Sequence, residues 1–167
     1  SEVRDAFLKD LKLQGNSDVD IRTCTSHLSQ FCDAVSKPIT AVKASDIDDY
    51  LGGKACSNRT KKNTRITLCR LWNWAKTKGY LPKHMENAAN NSNRYKAERA
   101  ASPGIFTPEQ LSSMLDVVDD QWLPYFVISA FCGLRQAEVL RLSWDDINFE
   151  EKAIILGAHI TKTNKRR

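Results

Sequence analysis

Residues 133–147 read GLRQAEVLRLSWDDI, and they constrain the fold most because they combine a helix stop, a helix start and a pair of opposite charges. Gly133 follows an apolar run, and a glycine in that position usually ends a helix. Arg135 therefore falls where a new helix begins, and Glu138 lies one turn further on the same face. That carboxylate can hold the guanidinium in one orientation, ready to grip a phosphate. The pattern predicts that the helix continues to residues 145–147, with an apolar face of Val139, Leu140, Leu142 and Trp144.

Positive charge is concentrated in the middle of the chain. Residues 54–102 contain 12 basic and 2 acidic residues, whereas the formal net charge of the whole chain is only +5. Such a block usually binds a polyanion, most often nucleic acid. The alternative is a basic helix that is merely solvated. The block therefore predicts a nucleic-acid interface in the central third of the chain.

The N-terminal half is predicted to form four helices. Apolar residues recur at helical spacing over residues 2–13. Asp18 is expected to cap a second helix. Ser45, with Asp48 three residues later, predicts a capping box for a short third helix. Ser57 is expected to cap a long fourth helix that reaches about residue 78.

The predicted fourth helix has one apolar and one basic face. We expect its apolar face to pack in the core through Leu68, Leu71, Trp72 and Ala75. Its other face and its N-terminal end are predicted to contact DNA phosphates through Arg59, Lys61, Lys62, Arg65 and Arg70. Trp72 and Trp74 have rings that can stack on bases, but a tryptophan beside leucine is far more often a core residue.

Residues 89–104 lack apolar periodicity and are predicted to form a linker. Its basic residues are further candidates for DNA binding, namely Arg94, Lys96 and Arg99. Helical structure is expected to resume at Thr107, a capping residue with Gln110 at the position that completes a capping box.

The remaining pattern combines a helix with a hairpin. Residues 122–132, WLPYFVISAFC, are apolar on nearly all sides and are predicted to form a buried helix. Tyr125 is therefore interpreted as a core residue rather than a nucleophile. Residues 153–161 are predicted to start a β-hairpin that turns at Gly157.

The stretch at 133–147 resembles the first catalytic box of the tyrosine recombinases, the phage-integrase family. That box reads Gly-Leu-Arg, two further residues and Glu, followed by a leucine-rich segment that ends in Trp-x-Asp-Ile. HITKTNKRR, residues 159–167, resembles the family's β-turn lysine, which falls on Lys162, and FTPEQLSSML, residues 106–115, resembles the helix that opens the family's catalytic domain. Taken alone, an Arg–Glu pair is more often an ordinary surface ion pair. The box residues around it favour a site.

The resemblance implies a mainly α fold in two parts. A four-helix SAM-like DNA-binding domain would span residues 1–88, and a basic linker would span 89–104. Residues 105–167 would form the helical start of a tyrosine recombinase catalytic domain, with the beginning of a small β-hairpin.

The resemblance also implies site-specific recombination of DNA through a 3′-phosphotyrosine intermediate. Arg135 would clamp the scissile phosphate, Glu138 would position Arg135, and Lys162 would protonate the leaving 5′-oxygen. The partner would be double-stranded DNA, on which the full-length protein would self-associate, in the cytoplasm. The family's remaining catalytic residues, including its tyrosine nucleophile, come after the lysine, so we expect the 167-residue chain to be inactive by itself.

Other kinds of site are not predicted. The three histidines are scattered along the chain, and the five cysteines form no Cys-x-x-Cys pair, so we expect no metal, no cofactor and buried free thiols. No apolar run has the length of a membrane span, and no small-molecule substrate is implied.

Two further classes of function remain open. The first is a transcription regulator, because GLRQAEVLRL resembles the first helix of a helix-turn-helix; that motif requires a recognition helix next, whereas residues 153–161 have a strand pattern. The second is a helical protein-interaction module without a nucleic-acid role, which the central basic block argues against.

Overall fold

The computed structural model describes residues 2–96, 104–158 and 160. The chain divides into unit 1, residues 1–101, and unit 2, residues 102–167. The described residues are mainly helical and include a small two-stranded antiparallel sheet, which confirms the predicted fold class.

Unit 1 is helical throughout its described length. Helix α1 spans Glu2–Leu13, α2 spans Asp18–Ala34, a 3-10 turn spans Ile39–Ala41, α3 spans Ala44–Gly53, α4 spans Asn58–Thr77 and α5 spans Ala88–Asn91. Helices α1 and α2 pack on each other and on α4, and both α3 and α4 contact α5. Helix α4 therefore lies at the centre of the unit.

The predicted apolar face of α4 is buried. Trp72 is only 1% exposed, and Leu68 and Ala75 are fully buried. The ring of Trp72 meets that of Phe31 edge-on, with 6.2 Å between centroids, a favourable aromatic geometry. Trp74 is half-buried, and its indole Nε1 donates to the Asp10 carboxylate at 2.8 Å. Both tryptophans thus belong to the core region, as predicted.

Two predicted helix caps are wrong. Ser17, not Asp18, caps α2, because the Ser17 hydroxyl accepts a hydrogen bond from the Asp20 backbone N–H at 3.3 Å. Helix α3 starts at residue 44, and the carboxylate of Asp46 accepts the Lys43 backbone N–H at 2.9 Å. Serine and aspartate are comparable capping residues, so where they adjoin, the type of residue alone does not select the cap.

The start of the predicted linker is also wrong. Residues 89–91 belong to α5, and Ala89 is fully buried. The buried side chain of Asn87 caps this helix by accepting the N–H groups of Ala89 and Asn90 at 3.0 and 3.2 Å. Its amide nitrogen donates to the Cys69 carbonyl at 3.2 Å and to the Asn73 side chain at 2.8 Å. Short polar contacts, which apolar periodicity does not reveal, therefore continue unit 1 beyond residue 89.

Unit 2 contains shorter elements. Helix α6 spans Pro108–Val117, α7 spans Leu123–Phe131, α8 spans Gln136–Val139, a 3-10 turn spans Trp144–Asp146, and the strands are β1, Ile147–Asn148, and β2, Ala153–Ile154. The strands pair antiparallel with Ile147 opposite Ile154. The predicted capping box is confirmed, since Thr107 and Gln110 exchange hydrogen bonds at 3.0 and 3.3 Å.

Helix α7 forms where predicted, but the expectation that it is buried is wrong for the described residues. Phe131 is 67% exposed, and Trp122, which precedes the helix, is 52% exposed. Helices α6 and α8 pack on α7. They have only 10 and 4 residues, so they leave much of its apolar surface uncovered. Tyr125 is half-buried.

The segment after Arg135 differs from the predicted long helix. The backbone N–H of Arg141 donates to the carbonyl of residue 138 at 3.1 Å, a three-residue spacing that closes a helix end after one turn. Val139 is buried, but Leu140 and Trp144 are 66% and 74% exposed, so the predicted apolar face does not exist.

The hairpin starts one strand earlier than predicted. Its turn comprises residues 149–152, where Lys152 has a φ of 51°. Gly157 accepts a hydrogen bond from the Ile160 N–H at 3.0 Å instead of turning a hairpin. The two-residue strand β1 is too short to produce a visible alternation of apolar and polar residues.

We predict that Asn87→Ala destabilises unit 1 by about 2 kcal/mol, because it removes the cap of α5 and the hydrogen bonds that join it to Cys69 and Asn73 on α4. Urea unfolding followed by circular dichroism measures the change. Asn90→Ala is the matched control, since that side chain is exposed, and its effect should stay within about 0.5 kcal/mol. Equal effects of the two substitutions would show that the Asn87 amide does not hold α5.

Candidate nucleic-acid interface

Helix α4 begins with positive charge. Ser57 caps it by accepting the Thr60 N–H at 3.2 Å, and its first turn contains no acidic residue. Arg59, Lys61 and Lys62 follow directly. The N-terminus of a helix carries a partial positive charge and normally favours acidic residues. Cations at this end are repelled by the positive end of the helix dipole. An anion bound there would offset this repulsion and stabilise the helix.

A basic groove runs beside α4. It has a volume of about 620 Å³ and is lined by Lys62, Arg65, Ile66, Arg94, Tyr95 and Lys96. Four of these six residues are cations, and each was predicted to bind DNA. Helix α4 supplies one wall of the basic groove and residues 94–96 supply the other.

Four contacts hold residues 90–96 against the rest of unit 1. The Arg65 guanidinium donates to the carbonyl of residue 90 at 2.9 Å and to the Ser92 hydroxyl at 3.1 Å. Asp48 accepts the backbone N–H of Asn93 at 2.7 Å. The Lys61 ammonium lies 5.6 Å from the centre of the Tyr95 ring, within cation–π range. Arg65 and Lys61 thus position the second wall of the basic groove.

The other cations of the basic groove are available to a ligand. Lys62, Arg94 and Lys96 are exposed, and within residues 2–96 no hydrogen bond or ion pair engages their charged groups. Arg59 is exposed in the same way. Four predicted DNA-binding residues are therefore presented to solvent on or beside α4.

Arg70, a predicted phosphate contact, already has a partner within the protein. Its guanidinium forms a bidentate pair with the Asp20 carboxylate on α2, at 2.9 and 3.0 Å. The Arg70 hydrogen bond lowers the pKa of Asp20 below its ordinary value, and the same contact raises the pKa of Arg70. Its charge is thus already neutralised by α2, a partner that lies 50 residues away in the sequence.

Residues 133–138 of unit 2, called here the arginine box because they contain Arg135 and Glu138, have the predicted local geometry. Arg135 precedes the first residue of α8, after Gly133 with a φ of 60°. One carboxylate oxygen of Glu138 accepts the Arg135 guanidinium at 2.8 Å, and the other accepts the Arg135 backbone N–H at 2.9 Å. Glu138 therefore fixes both the main chain and the side chain of Arg135.

Burial separates this pair from an ordinary surface ion pair. The Glu138 side chain is only 2% exposed, whereas that of Arg135 is 62% exposed. A carboxylate is rarely buried unless it is paired, and here the pairing cation still faces solvent. The arrangement presents a fixed guanidinium that remains free to contact an anion.

Two of the predicted site residues, Arg99 and Lys162, lie outside the described residues. Of the basic residues of the predicted linker, Arg94 and Lys96 therefore line the basic groove. The carbonyl of residue 160 accepts the Arg141 guanidinium at 3.4 Å. This contact ties the segment that leads to Lys162 back to the chain just after the arginine box.

Asn87 is a positioning residue that the sequence interpretation missed. Its signal was present in the sequence, because an asparagine followed by Ala-Ala-Asn suits the cap of a short helix. Its buried contacts with α4 had no such signal, since they join residues 14 and 18 positions apart.

No group of three or more His, Cys, Asp or Glu side chains in the described part of the chain could hold a metal ion. All five cysteines are free, and only Cys24 is fully buried, so the expected burial of the thiols is wrong for the exposed Cys132. Among the described helices, none is long and apolar enough to cross a membrane.

Solved structures match the chain in fold. The Tn1549 transposon integrase in complex with transposon right-end DNA gives a TM-score of 0.67 at 21% identity, over 93% of this chain and 52% of that chain. The same integrase in complex with circular intermediate DNA gives 0.65 at 22% identity, over 92% and 53%. An integrase from mycobacterium phage Brujita gives 0.52 at 16% identity, over 98% and 55%. This chain has an integrase fold.

The match confirms, at the level of fold, the resemblance to tyrosine recombinases. This chain spans about half the length of the solved integrase chains that it matches. No protein-family model and no curated protein matches the chain.

We predict that Asp20→Asn lowers the stability of unit 1 at pH 7 and has a smaller effect at about pH 3. The native pKa of Asp20 lies below its ordinary value, which is about 3.9. The ion pair therefore stabilises the fold above that pH, and the stabilisation is lost as the pH falls through the native pKa. Urea unfolding at a series of pH values measures the difference between variant and parent.

Asp33→Asn is the control for this prediction, because Asp33 is exposed on the same helix. Its effect on stability should be smaller at pH 7 and should vary less with pH. A loss from Asp20→Asn that is equal at pH 3 and pH 7 would contradict the assignment of Arg70 to an ion pair.

Proposed function

We propose that this chain is the DNA-binding portion, with the first part of the catalytic domain, of a site-specific tyrosine recombinase. The observation that supports it most directly is the basic groove, in which cations that have no partner among residues 2–96 adjoin the positive end of α4. Duplex DNA is the polyanion that suits it, because phosphate contacts supply most of the affinity of such interfaces. The Tn1549 structures support the proposal, since they are of an integrase in complex with DNA.

In this proposal, unit 1 is the SAM-like core-binding domain, and its Lys62, Arg94 and Lys96 contact phosphates. Arg65 and Lys61 act indirectly by positioning residues 90–96. The recombinase works in the cytoplasm and self-associates on its double-stranded DNA. Neither a small-molecule substrate nor a cofactor takes part.

The arginine box is proposed to act on the scissile phosphate. A tyrosine hydroxyl of the whole enzyme attacks the phosphorus, forms a 3′-phosphotyrosine bond and releases the 5′-oxygen. Negative charge on the non-bridging oxygens is stabilised by Arg135, which Glu138 holds ready, and preorganised charge of this kind lowers the barrier most effectively. Lys162 protonates the leaving 5′-oxygen.

The two alternative functions receive less support. A helix-turn-helix needs a recognition helix directly after its first helix, whereas α8 is followed by a 3-10 turn and the β1–β2 hairpin. A protein-interaction module without a nucleic-acid role would not need four unpaired cations beside one helix. Exposed apolar residues on unit 2 are compatible with either alternative, so the decisive observation is salt-sensitive binding of duplex DNA.

We predict that changing Lys62, Arg94 and Lys96 together to alanine reduces the salt dependence of duplex binding. The slope of log affinity against log salt concentration should fall by roughly 2.7, about 0.9 for each lost phosphate contact. Fluorescence anisotropy of a labelled duplex over a salt series measures this slope.

A control triple variant removes the same charge elsewhere, through Lys9→Ala, Lys12→Ala and Lys83→Ala. All three lysines are exposed, and none lines the basic groove. Its slope should fall by less than one. Equal losses from the two variants would mean that only net charge matters and that the basic groove is not the interface.

We predict that, in the whole enzyme, Arg135→Lys lowers strand cleavage by roughly 10²–10³-fold while duplex affinity changes little. Lysine keeps the charge but cannot reproduce the planar fork of arginine, and the lost stabilisation acts on charge that develops in the transition state. Covalent protein–DNA adduct on a nicked suicide substrate measures cleavage. Arg22→Lys, at an exposed arginine of α2 outside the proposed site, is the control. Normal adduct yield from Arg135→Lys would remove the recombinase assignment.

A further inference from the structure

One exposed face of α4 carries two residues whose chemistry does not suit phosphate. Ile66 is 45% exposed, although it lines the basic groove between cations. Asn63 is exposed one turn before it, and within residues 2–96 its side-chain amide has no hydrogen-bond partner. An isolated exposed isoleucine needs no explanation by itself. Here it adjoins an amide without a partner on the most basic helix of the chain.

The geometry of α4 suits insertion into a DNA groove. Asn63 and Ile66 are three residues apart and so share a helix face, and this face lies opposite the buried Leu68 and Ala75. An α-helix with its side chains is about 10–12 Å wide, and the major groove is about 12 Å wide. The part of α4 that is available runs from its start to Ile66, because Arg70, one turn later on the same face, pairs with Asp20 of α2.

Phosphate-binding cations flank this face. Arg59 and Lys62 precede Ile66 on α4, and Arg94 and Lys96 form the opposite wall of the basic groove. If these cations hold the DNA backbone, the side chains between them point at base edges. Phosphate contacts set the register of a protein on the duplex, whereas base edges carry the sequence information.

We propose that α4 enters the major groove and reads sequence there, with Ile66 against the C5-methyl group of a thymine and Asn63 on an adenine. An apolar side chain is the group that recognises a thymine methyl, and an asparagine amide matches the N6 donor and N7 acceptor of adenine. This inference rests on the proposed duplex-binding function and adds to it the residues that determine specificity.

The test begins with a randomised duplex library from which the 167-residue chain selects its preferred sequence. The selected duplex is then remade with single base substitutions, one position at a time. Uracil in place of a thymine removes only the methyl group, and 7-deazaadenine in place of an adenine removes only the N7 acceptor. Affinities of the chain, Ile66→Ala, Asn63→Ala and Lys62→Ala are compared at one salt concentration.

We expect one uracil substitution to weaken binding by the parent chain about fourfold, the value of one buried methyl group, and to leave Ile66→Ala unaffected. One 7-deazaadenine substitution should weaken the parent about tenfold and leave Asn63→Ala unaffected. Lys62→Ala should weaken binding to every duplex alike, reduce the salt slope by about one and retain both base preferences.

Several results would overturn the inference. Binding of all duplexes without sequence enrichment would exclude base reading by α4 while leaving the proposed DNA-binding function intact. Equal sensitivity of parent and variants to uracil and 7-deazaadenine would assign the contacts to other residues. Failure to bind any duplex would overturn both the inference and the proposed function. The base substitutions act on the parent chain alone, so they remain informative if a variant does not fold.

Discussion

The basic groove of unit 1 depends on the buried side chain of Asn87. This single amide caps α5 and bonds to α4 at two points. Arg65 then bonds to the residues that follow, so that the chain runs along α4 instead of leaving the unit. Because of these contacts, cations that are some 30 residues apart in the sequence line one groove. A buried amide with all its hydrogen bonds satisfied fixes a geometry that apolar packing alone would leave loose.

Much of the fold was predictable because its signals are local. The serine cap and the apolar face of α4, the capping box at Thr107 and the start of α8 at Arg135 each follow from residues within one or two helical turns. The Arg135–Glu138 contact belongs to the same class, since the spacing of three residues requires it. Burial of Glu138 was not predictable, because it depends on how the whole of unit 2 packs.

Three features could not be predicted from local patterns, because each depends on distant partners. Arg70 fitted the basic face of α4 by periodicity, yet Asp20 on α2 neutralises it. Residues 89–91 were polar enough for a linker, yet hydrogen bonds to α4 fold them into unit 1. Helix α7 was apolar enough to be buried, but burial also requires elements to cover it. Sequence composition therefore predicted which residues are charged or apolar and left open what each of them contacts.

The charges at the start of α4 have a consequence for the free protein. Lys62, Arg94 and Lys96 repel one another across the basic groove, and Arg59 opposes the dipole of its own helix. Most surface ion pairs weaken when ions are added, because the charges that attract are screened. In the basic groove the neighbouring charges repel one another, and salt screens this repulsion. Added salt therefore reduces the repulsion within unit 1 in the absence of DNA. A polyanion that bound these cations would stabilise unit 1, because any ligand that binds only the native state stabilises that state.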